Sequence, residues 1–415
     1  DPVSAFGAAA AGAPSAVAAC VVEPSTTGPS WLAPAALPVV PSAAQDRGGG
    51  GLRRDLSPAT RFFRLSRFTL ESGVGLSDVT VAYRTWGALA PSRDNAVVVC
   101  HALTGSADVD AWWGDLLGAG RALDPGRDFV VASNVLGSCY GTTGPTAPRA
   151  RGAAPWGGAF PPPTVRDLVR LQGELVAALG VERIRLVVGG SLGGMQALEW
   201  ALLFPERVES VAALATNARH SPWQVAWSEA QRLAIAADPR WRGGAYPVDD
   251  PPRAGLAAAR AMAMVSYRAP GGFEERFARR READGTFAVA GWLARHGERL
   301  VDRFDAASYV TLTRTMDTHD LARGRGELAA VLGTVRLPVL VGTIPSDVLY
   351  PPAEQRELAA RLGRGELATI DSPHGHDGFL IESAQVEAAL RDFRERTGTA
   401  RTIRSRRRRA AGGGR

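Results

Sequence analysis

The chain contains no lysine: all 48 of its basic residues are arginine. Without lysine there is no Schiff base to pyridoxal phosphate or to a carbonyl substrate, no Walker A phosphate loop and no kinase-type ATP lysine. Cysteine is scarce as well. Cys20, Cys100 and Cys139 are too few and too scattered for a zinc cluster or a disulfide framework. An odd count suits a reducing compartment, so a cytoplasmic protein without metal or bound cofactor is expected. No run of 18 uncharged apolar residues occurs, so no membrane-spanning helix and no membrane partner are expected. Acidic residues are missing from the far end of the chain, where Arg401, Arg404, Arg406, Arg407, Arg408, Arg409 and Arg415 supply seven positive charges. Those seven exceed the net charge of +6, so the remaining chain is close to neutral. Residues 397–415 read as a basic, disordered, solvated tail, and nucleic acid is not expected as a partner.

What is present is a globular composition. The 415 residues are 45% apolar and 22% charged, which suits one large α/β domain with an insertion or a pair of domains. Residues 1–59 form a low-complexity tail of Ala, Pro, Gly, Ser and Val, expected to be disordered. No basic residue precedes Arg47, so the charged region of a secretory signal is lacking and export is not expected. Asp1 in place of methionine fits a processed start, a fragment or an over-extended gene model, and composition does not separate these.

From about Thr60 short apolar runs alternate with longer amphipathic stretches, the pattern of βαβ units around a mostly parallel sheet. The strand candidates are residues 79–86, 96–102, 129–134, 184–190, 208–215, 338–343 and 366–371. Residues 165–180 place Leu168, Leu171, Leu175 and Leu179 at spacings of three and four, an amphipathic helix closed by Gly180. Residues 218–325 are rich in Ala, Arg and Glu and poor in β-branched clusters, and read as a helical insertion between 60–217 and 326–396, the two parts of the core. An insertion between two strands falls naturally across the carboxyl edge of the sheet, where open α/β folds bind ligands, so it is expected to act as a lid.

Chemistry enters at residues 187–199, VVGGSLGGMQALE, where Gly189, Ser191 and Gly193 form G-x-S-x-G directly after a strand run and before a helical stretch. The bare motif is weak, but its setting is specific. A strand-to-helix turn this sharp needs small residues on both sides of the serine, and it aims the helix N-terminus at the hydroxyl. Serine also needs a base, ordinarily a histidine held by a carboxylate. Of the six histidines, His296 and His319 read as surface residues of the insertion, and His101 and His220 follow strands. His374 and His376 stand in DSPHGHDGFL after the last strand. His376, beside Asp377 and Gly378 on a tight turn, is the favoured base and His374 the alternative. Asp347, just after the strand PVLVGT, is the expected carboxylate, which gives the α/β-hydrolase order Ser191, Asp347, His376. The backbone amides of Leu192 and Leu103 are the expected oxyanion donors, with Thr104 and Gly105 close to the second.

Together, HALTGS at 101–106, NVLGSCYGTTGPT at 134–146, GGSLGGMQALEW at 189–200, QRLAIAADPRW at 231–241, GLAAARAMAMVSYR at 255–268, SDVLYPP at 346–352 and HGHDGFL at 374–380 resemble the homoserine O-acetyltransferase family. The resemblance runs from about Thr60 to Arg396. It implies an α/β-hydrolase fold with an inserted helical lid, a homodimer made through that lid, and acetyl-CoA as co-substrate. It also implies an acyl-serine intermediate intercepted by the hydroxyl of homoserine, giving O-acetylhomoserine for methionine biosynthesis. Ser191, Asp347 and His376 match the family triad. Arg260 and Asp377 match its substrate-binding arginine and aspartate, and Thr104 and Tyr267 are expected to line the same site. AMAMV at 261–265 and TAPRARG after GPT at 146 depart from the commoner family forms. Succinyl transfer to homoserine, acyl transfer to serine, or plain ester hydrolysis on the same scaffold are the alternative activities.

Overall fold

The computed structural model describes residues 56–150 and 152–412, with side chains described to residue 398. Nearly all of the expected low-complexity tail, and the side chains of the terminal arginines, therefore lie outside the described residues. Among the described residues no helix is long and apolar enough to cross a membrane.

Eight strands form one sheet: β1 (Arg61–Thr69), β2 (Gly75–Trp86), β3 (Ala96–Cys100), β4 (Phe129–Ser133), β5 (Ile184–Gly190), β6 (Val211–Leu214), β7 (Val339–Thr343) and β8 (Gly365–Thr369). Their spatial order is β1-β2-β4-β3-β5-β6-β7-β8. β1 pairs antiparallel with β2, and β2 with β4; every later pair is parallel. The inner strands β3, β4, β6 and β7 are buried at every position, which explains their unbroken Val and Ala runs.

Seven strands fall where sequence periodicity places them, although β2 begins four residues earlier and β6 is only four residues long. β1 is an addition. Arg61, Arg64 and Arg67 interrupt its Phe residues, and only Phe63 and Phe68 are deeply buried, so no clean alternation marks it.

Side chains alternate across the sheet. Val98, Val131, Val187, Val211 and Val341 face one side with Leu168, Leu171 and Leu175 of α2 (Val165–Ala178) and Leu198 and Trp200 of α3 (Leu192–Leu203). Val97, Val99, Val130, Leu186 and Val188 face the other, against Val109 of α1 (Val109–Trp112) and Val386, Leu390 and Phe393 near the chain end. The insertion supplies α4 (Pro222–Ala236), α5 (Arg253–Ser266), α6 (Pro270–Phe277), α7 (Ala288–Val301) and α8 (Ala306–Asp317). An antiparallel bridge between Arg219 and Asp320, with His220 N–H donating to the His319 carbonyl at 2.8 Å, closes its base. α8 departs from the picture of a covering lid: Tyr309, Val310, Leu312 and Met316 are buried in the main core.

The chain returns through α9 (Leu328–Thr334), α10 (Pro352–Arg361), α11 (Gly378–Ile381) and α12 (Ser383–Gly412). α12 corrects one expectation. The backbone from 397 to 412, read as disordered, continues a helix whose first turns are anchored by Val386, Leu390 and Phe393. Arginine is a good helix former, and no proline or glycine interrupts 399–411.

Candidate active site

The sharp turn from β5 into α3 sets the site. Ser191 sits on it at φ 57°, ψ −124°, a conformation that costs an ordinary residue about 1–3 kcal/mol and is held by the strand and helix on either side. The flanking glycines are steric requirements. A β-carbon on Gly193 would run into the Cys100 carbonyl oxygen, and one on Gly190 into the Phe379 ring. Leu192 is the first residue of α3, so its N–H has no partner inside the helix.

The loop after β3 is held against α3 by a buried amide network. Gln196 Nε2 donates to the carbonyls of His101 (3.2 Å) and Leu192 (3.0 Å), and Gln196 Oε1 accepts from Gln172 Nε2 at 2.7 Å. Gln172 Oε1 in turn accepts from Trp200 Nε1 at 2.9 Å. This fixes the chain just before Leu103 relative to the start of α3. The carbonyl of Thr104 accepts from Arg303 NH1 at 2.7 Å, its Oγ1 accepts from Arg303 NH2 at 3.2 Å, and Arg303 NH1 also donates to the Tyr140 hydroxyl at 2.6 Å. Thr104 is thus already bound to the arginine that follows α7.

The loops after β7 and β8 bring Asp347 and His376 together. His376 Nδ1 lies 2.8 Å from Asp347 Oδ2, both residues buried. Asp347 Oδ1 accepts the Leu349 and Tyr350 amides at 2.9 and 2.8 Å, so the carboxylate is fixed from both ends. The imidazole is enclosed by aromatic rings: Tyr350 stacks on it at 5.0 Å, Tyr267 lies at 5.7 Å and Phe379 meets it edge-on at 5.6 Å. Its Nε2 is buried and has no hydrogen-bond partner among the described residues, so Ser191 Oγ does not hydrogen-bond to it in this structure.

The other histidines are accounted for. His101 is buried, with Nδ1 2.8 Å from the Ala102 carbonyl and Nε2 accepting the Val135 amide at 3.2 Å. That pattern fixes a neutral ring, and burial pulls its pKa down to about 4. His319 corrects an expectation: it is buried, with Nε2 2.8 Å from the Asn217 carbonyl, because the closing bridge of the insertion draws it inward. His296 is half-buried against Trp292, ring centroids 4.3 Å apart, and not a free surface residue. His220 is buried facing Asp317 at 3.3 Å, and His374 is partly exposed and lines a cavity.

The end of α5 meets the histidine loop. Gly375, at φ +64°, lets the loop pass against the backbone of Tyr267, Arg268 and Ala269. Asp377 N–H donates to the Tyr267 carbonyl at 3.3 Å. The Arg260 guanidinium lies 5.4 Å from the Tyr267 ring, so Arg260, Tyr267 and His376 form a contiguous line. Burial raises the Tyr267 pKa, keeping the phenol neutral. Asp377 also has a partner that sequence reasoning missed: Arg268, at 3.0 Å. Arg268, Tyr350 and Phe379 all stand within motifs that resemble the family, beside the residues singled out, but their roles depend on contacts between α5 and the two late loops.

A serine on a strained strand-to-helix turn, with a histidine–aspartate pair from later loops of the same sheet edge, defines the α/β-hydrolase class, and residues 95–382 match the α/β hydrolase fold family. Among solved structures, esterase E22 and a homoserine O-acetyltransferase from Bacillus anthracis are equally similar, each with TM-score 0.75 and 25% identity over 81% of this chain. They cover 99% and 97% of their own chains, so the fold alone does not separate hydrolase from transferase. Sequence does. The homoserine O-acetyltransferase of Nostoc punctiforme is 51% identical over 346 residues, 82% of this chain and 97% of its own. The chain belongs to the homoserine O-acetyltransferase family.

Proposed function

We propose that this protein transfers the acetyl group of acetyl-CoA to the hydroxyl of L-homoserine through an acetyl-serine, for methionine biosynthesis. The observation that carries the reading is the fixed His376–Asp347 pair, in a chain half identical to enzymes of that name. His376 Nε2 takes the Ser191 Oγ proton as Oγ attacks the thioester carbonyl carbon. The Leu103 and Leu192 amides receive the oxyanion. The C–S bond breaks, the coenzyme A sulfur takes the proton from His376, and Ser191 is left acetylated. The homoserine hydroxyl then gives its proton to His376 and attacks the acetyl carbon, and Ser191 leaves with that proton.

Homoserine is a zwitterion, so its site must hold a carboxylate and an ammonium. Arg260 offers a planar fork to the first and Asp377 an acceptor to the second, with Tyr267 between them and Arg268 orienting Asp377. Thr104 lines the mouth from the oxyanion loop. The acyl group is small, and the aromatic enclosure of His376 limits water, which favours transfer over hydrolysis. We further propose a cytoplasmic homodimer through the lid. α4 packs on α5, and Leu233, Met262 and Val265 on these helices are 61%, 37% and 42% exposed, an apolar surface suited to a second copy.

Steady-state rates with acetyl-CoA and succinyl-CoA, each against homoserine, serine and water, test the reading. Acetyl-CoA with homoserine should give the highest kcat/KM. A preference for succinyl-CoA, for serine or for water would replace it with one of the alternatives.

A further inference from the structure

The lid carries a basic cavity that the acyl-transfer chemistry does not use. One part, about 430 Å³, is lined by His374, two residues before the base, and by Arg268, Trp292 and Arg276. An adjoining part of about 310 Å³ shares Arg268, Arg276 and Trp292 with it and adds Arg295 and Arg299 of α7. Each volume is ligand-sized. Glu275 is the one acid among the lining residues, and Arg276, Arg295 and Arg299 have no carboxylate partner among the described residues. Arg268 and Arg276 lie 5.9 and 5.7 Å from the Trp292 ring, so their heads are already held by cation–π contact.

Collecting these like charges around one concavity is unfavourable unless an anion joins them, and the near-neutral composition outside the arginine tail gives no general reason for it. The field is strong enough to act on a neighbour. Burial together with Arg260, Arg268, Arg299 and Arg276 pulls His296, which lines the adjoining part, down to about 4.

We propose that this cavity is the subsite for the phosphate-bearing 3′-phospho-ADP end of the acyl donor, with Arg276, Arg295 and Arg299 on its phosphate oxygens. The inference rests on the proposed use of a coenzyme A thioester. A donor with its phosphates in the arginine-lined part would direct its thioester past His374 toward His376. Bidentate guanidinium forks suit phosphate, and the absence of lysine leaves arginine as the sole side chain permanently cationic at neutral pH.

The test compares the intact protein with its Arg295→Ala and Arg299→Ala variants. Calorimetry with 3′,5′-ADP, which lacks the pantetheine arm and the thioester, reads the subsite directly. Each variant should weaken its Kd by about ten- to a hundredfold, and the wild-type Kd should rise with salt. The His296 resonances of the wild type should titrate at higher pH when 3′,5′-ADP is bound. In kinetics, kcat/KM for acetyl-CoA should fall by a similar factor relative to kcat/KM for S-acetylpantetheine, which has no phosphate. Equal loss with both donors, or unchanged 3′,5′-ADP binding in both variants, would overturn the subsite alone. Failure of acetyl-CoA to acetylate the wild type on Ser191 would overturn the functional reading and this inference together.

Discussion

Replacing Asp347 by asparagine probes the site with almost no change in volume. Oδ1 accepts two backbone amides, from Leu349 and Tyr350, and Oδ2 faces His376 Nδ1. An asparagine has one oxygen and one NH₂ for those two ends. Turning the NH₂ toward the two amides would leave three donors facing one another, at a cost of about 1–3 kcal/mol for each unsatisfied group. The oxygen therefore stays on the amides, and the NH₂ donates to His376 Nδ1. That selects the tautomer with the proton on Nε2, which cannot accept from Ser191. The variant loses the correct tautomer and the charge that steadies the imidazolium, and a fall of about 10⁴ in kcat is expected. Stability should change little, because the buried acceptor of the two amides is retained. Single-turnover acetylation of Ser191 by acetyl-CoA, followed by mass spectrometry beside a denaturation curve, reads both quantities. A loss smaller than tenfold with the fold intact would refute the role given to Asp347.

His376→Ala should abolish acetyl transfer while His374→Ala, whose imidazole does not face Asp347, keeps kcat within about tenfold; equal losses in turnover assays would contradict the assignment. Gly193→Ala should cost about 1–3 kcal/mol of stability, read as a lower denaturant midpoint, because its new methyl meets the Cys100 carbonyl on a central strand and backbone cannot step aside; an unchanged midpoint would refute the steric argument. Glu71 is partly buried, which alone would raise its pKa, but hydrogen bonds from Arg323 and Thr164 and the charges of Arg323 and Arg166 hold it at about 2. Its folded value lies below the ordinary 4.5, so its contribution is complete above about pH 4.5 and is lost as pH falls toward 2. Glu71→Gln should flatten stability against pH in that window, as read by urea unfolding at several pH values.

Much of this was legible in the chain. Buried parallel strands advertise themselves as runs such as AVVVC and FVVAS, and the sharp turn around Ser191 must be written in glycine because only glycine lets the strand, helix and Cys100 carbonyl approach. The order Ser191, Asp347, His376 follows once those strands are placed. β1 escaped because an edge strand with one solvated face tolerates Arg61, Arg64 and Arg67 among its Phe residues. Gln196 and Arg268 escaped for a different reason: neither has local periodicity or motif chemistry of its own. Gln196 matters because it reaches a carbonyl 95 residues away, and Arg268 because the insertion folds its α5 end onto Asp377. The tail helix escaped because a run of arginines reads equally as solvated coil or as the continuation of an anchored helix.

The fate of one acetyl group distinguishes transfer through Ser191 from every alternative. The protein is pulsed with labelled acetyl-CoA in the absence of acceptor, freed of coenzyme A, and divided between homoserine and buffer. Label should appear on the peptide containing Ser191 and pass to the homoserine hydroxyl far faster than it is lost to water. Label on another residue, or release to water at the same rate with and without homoserine, would contradict transfer through Ser191.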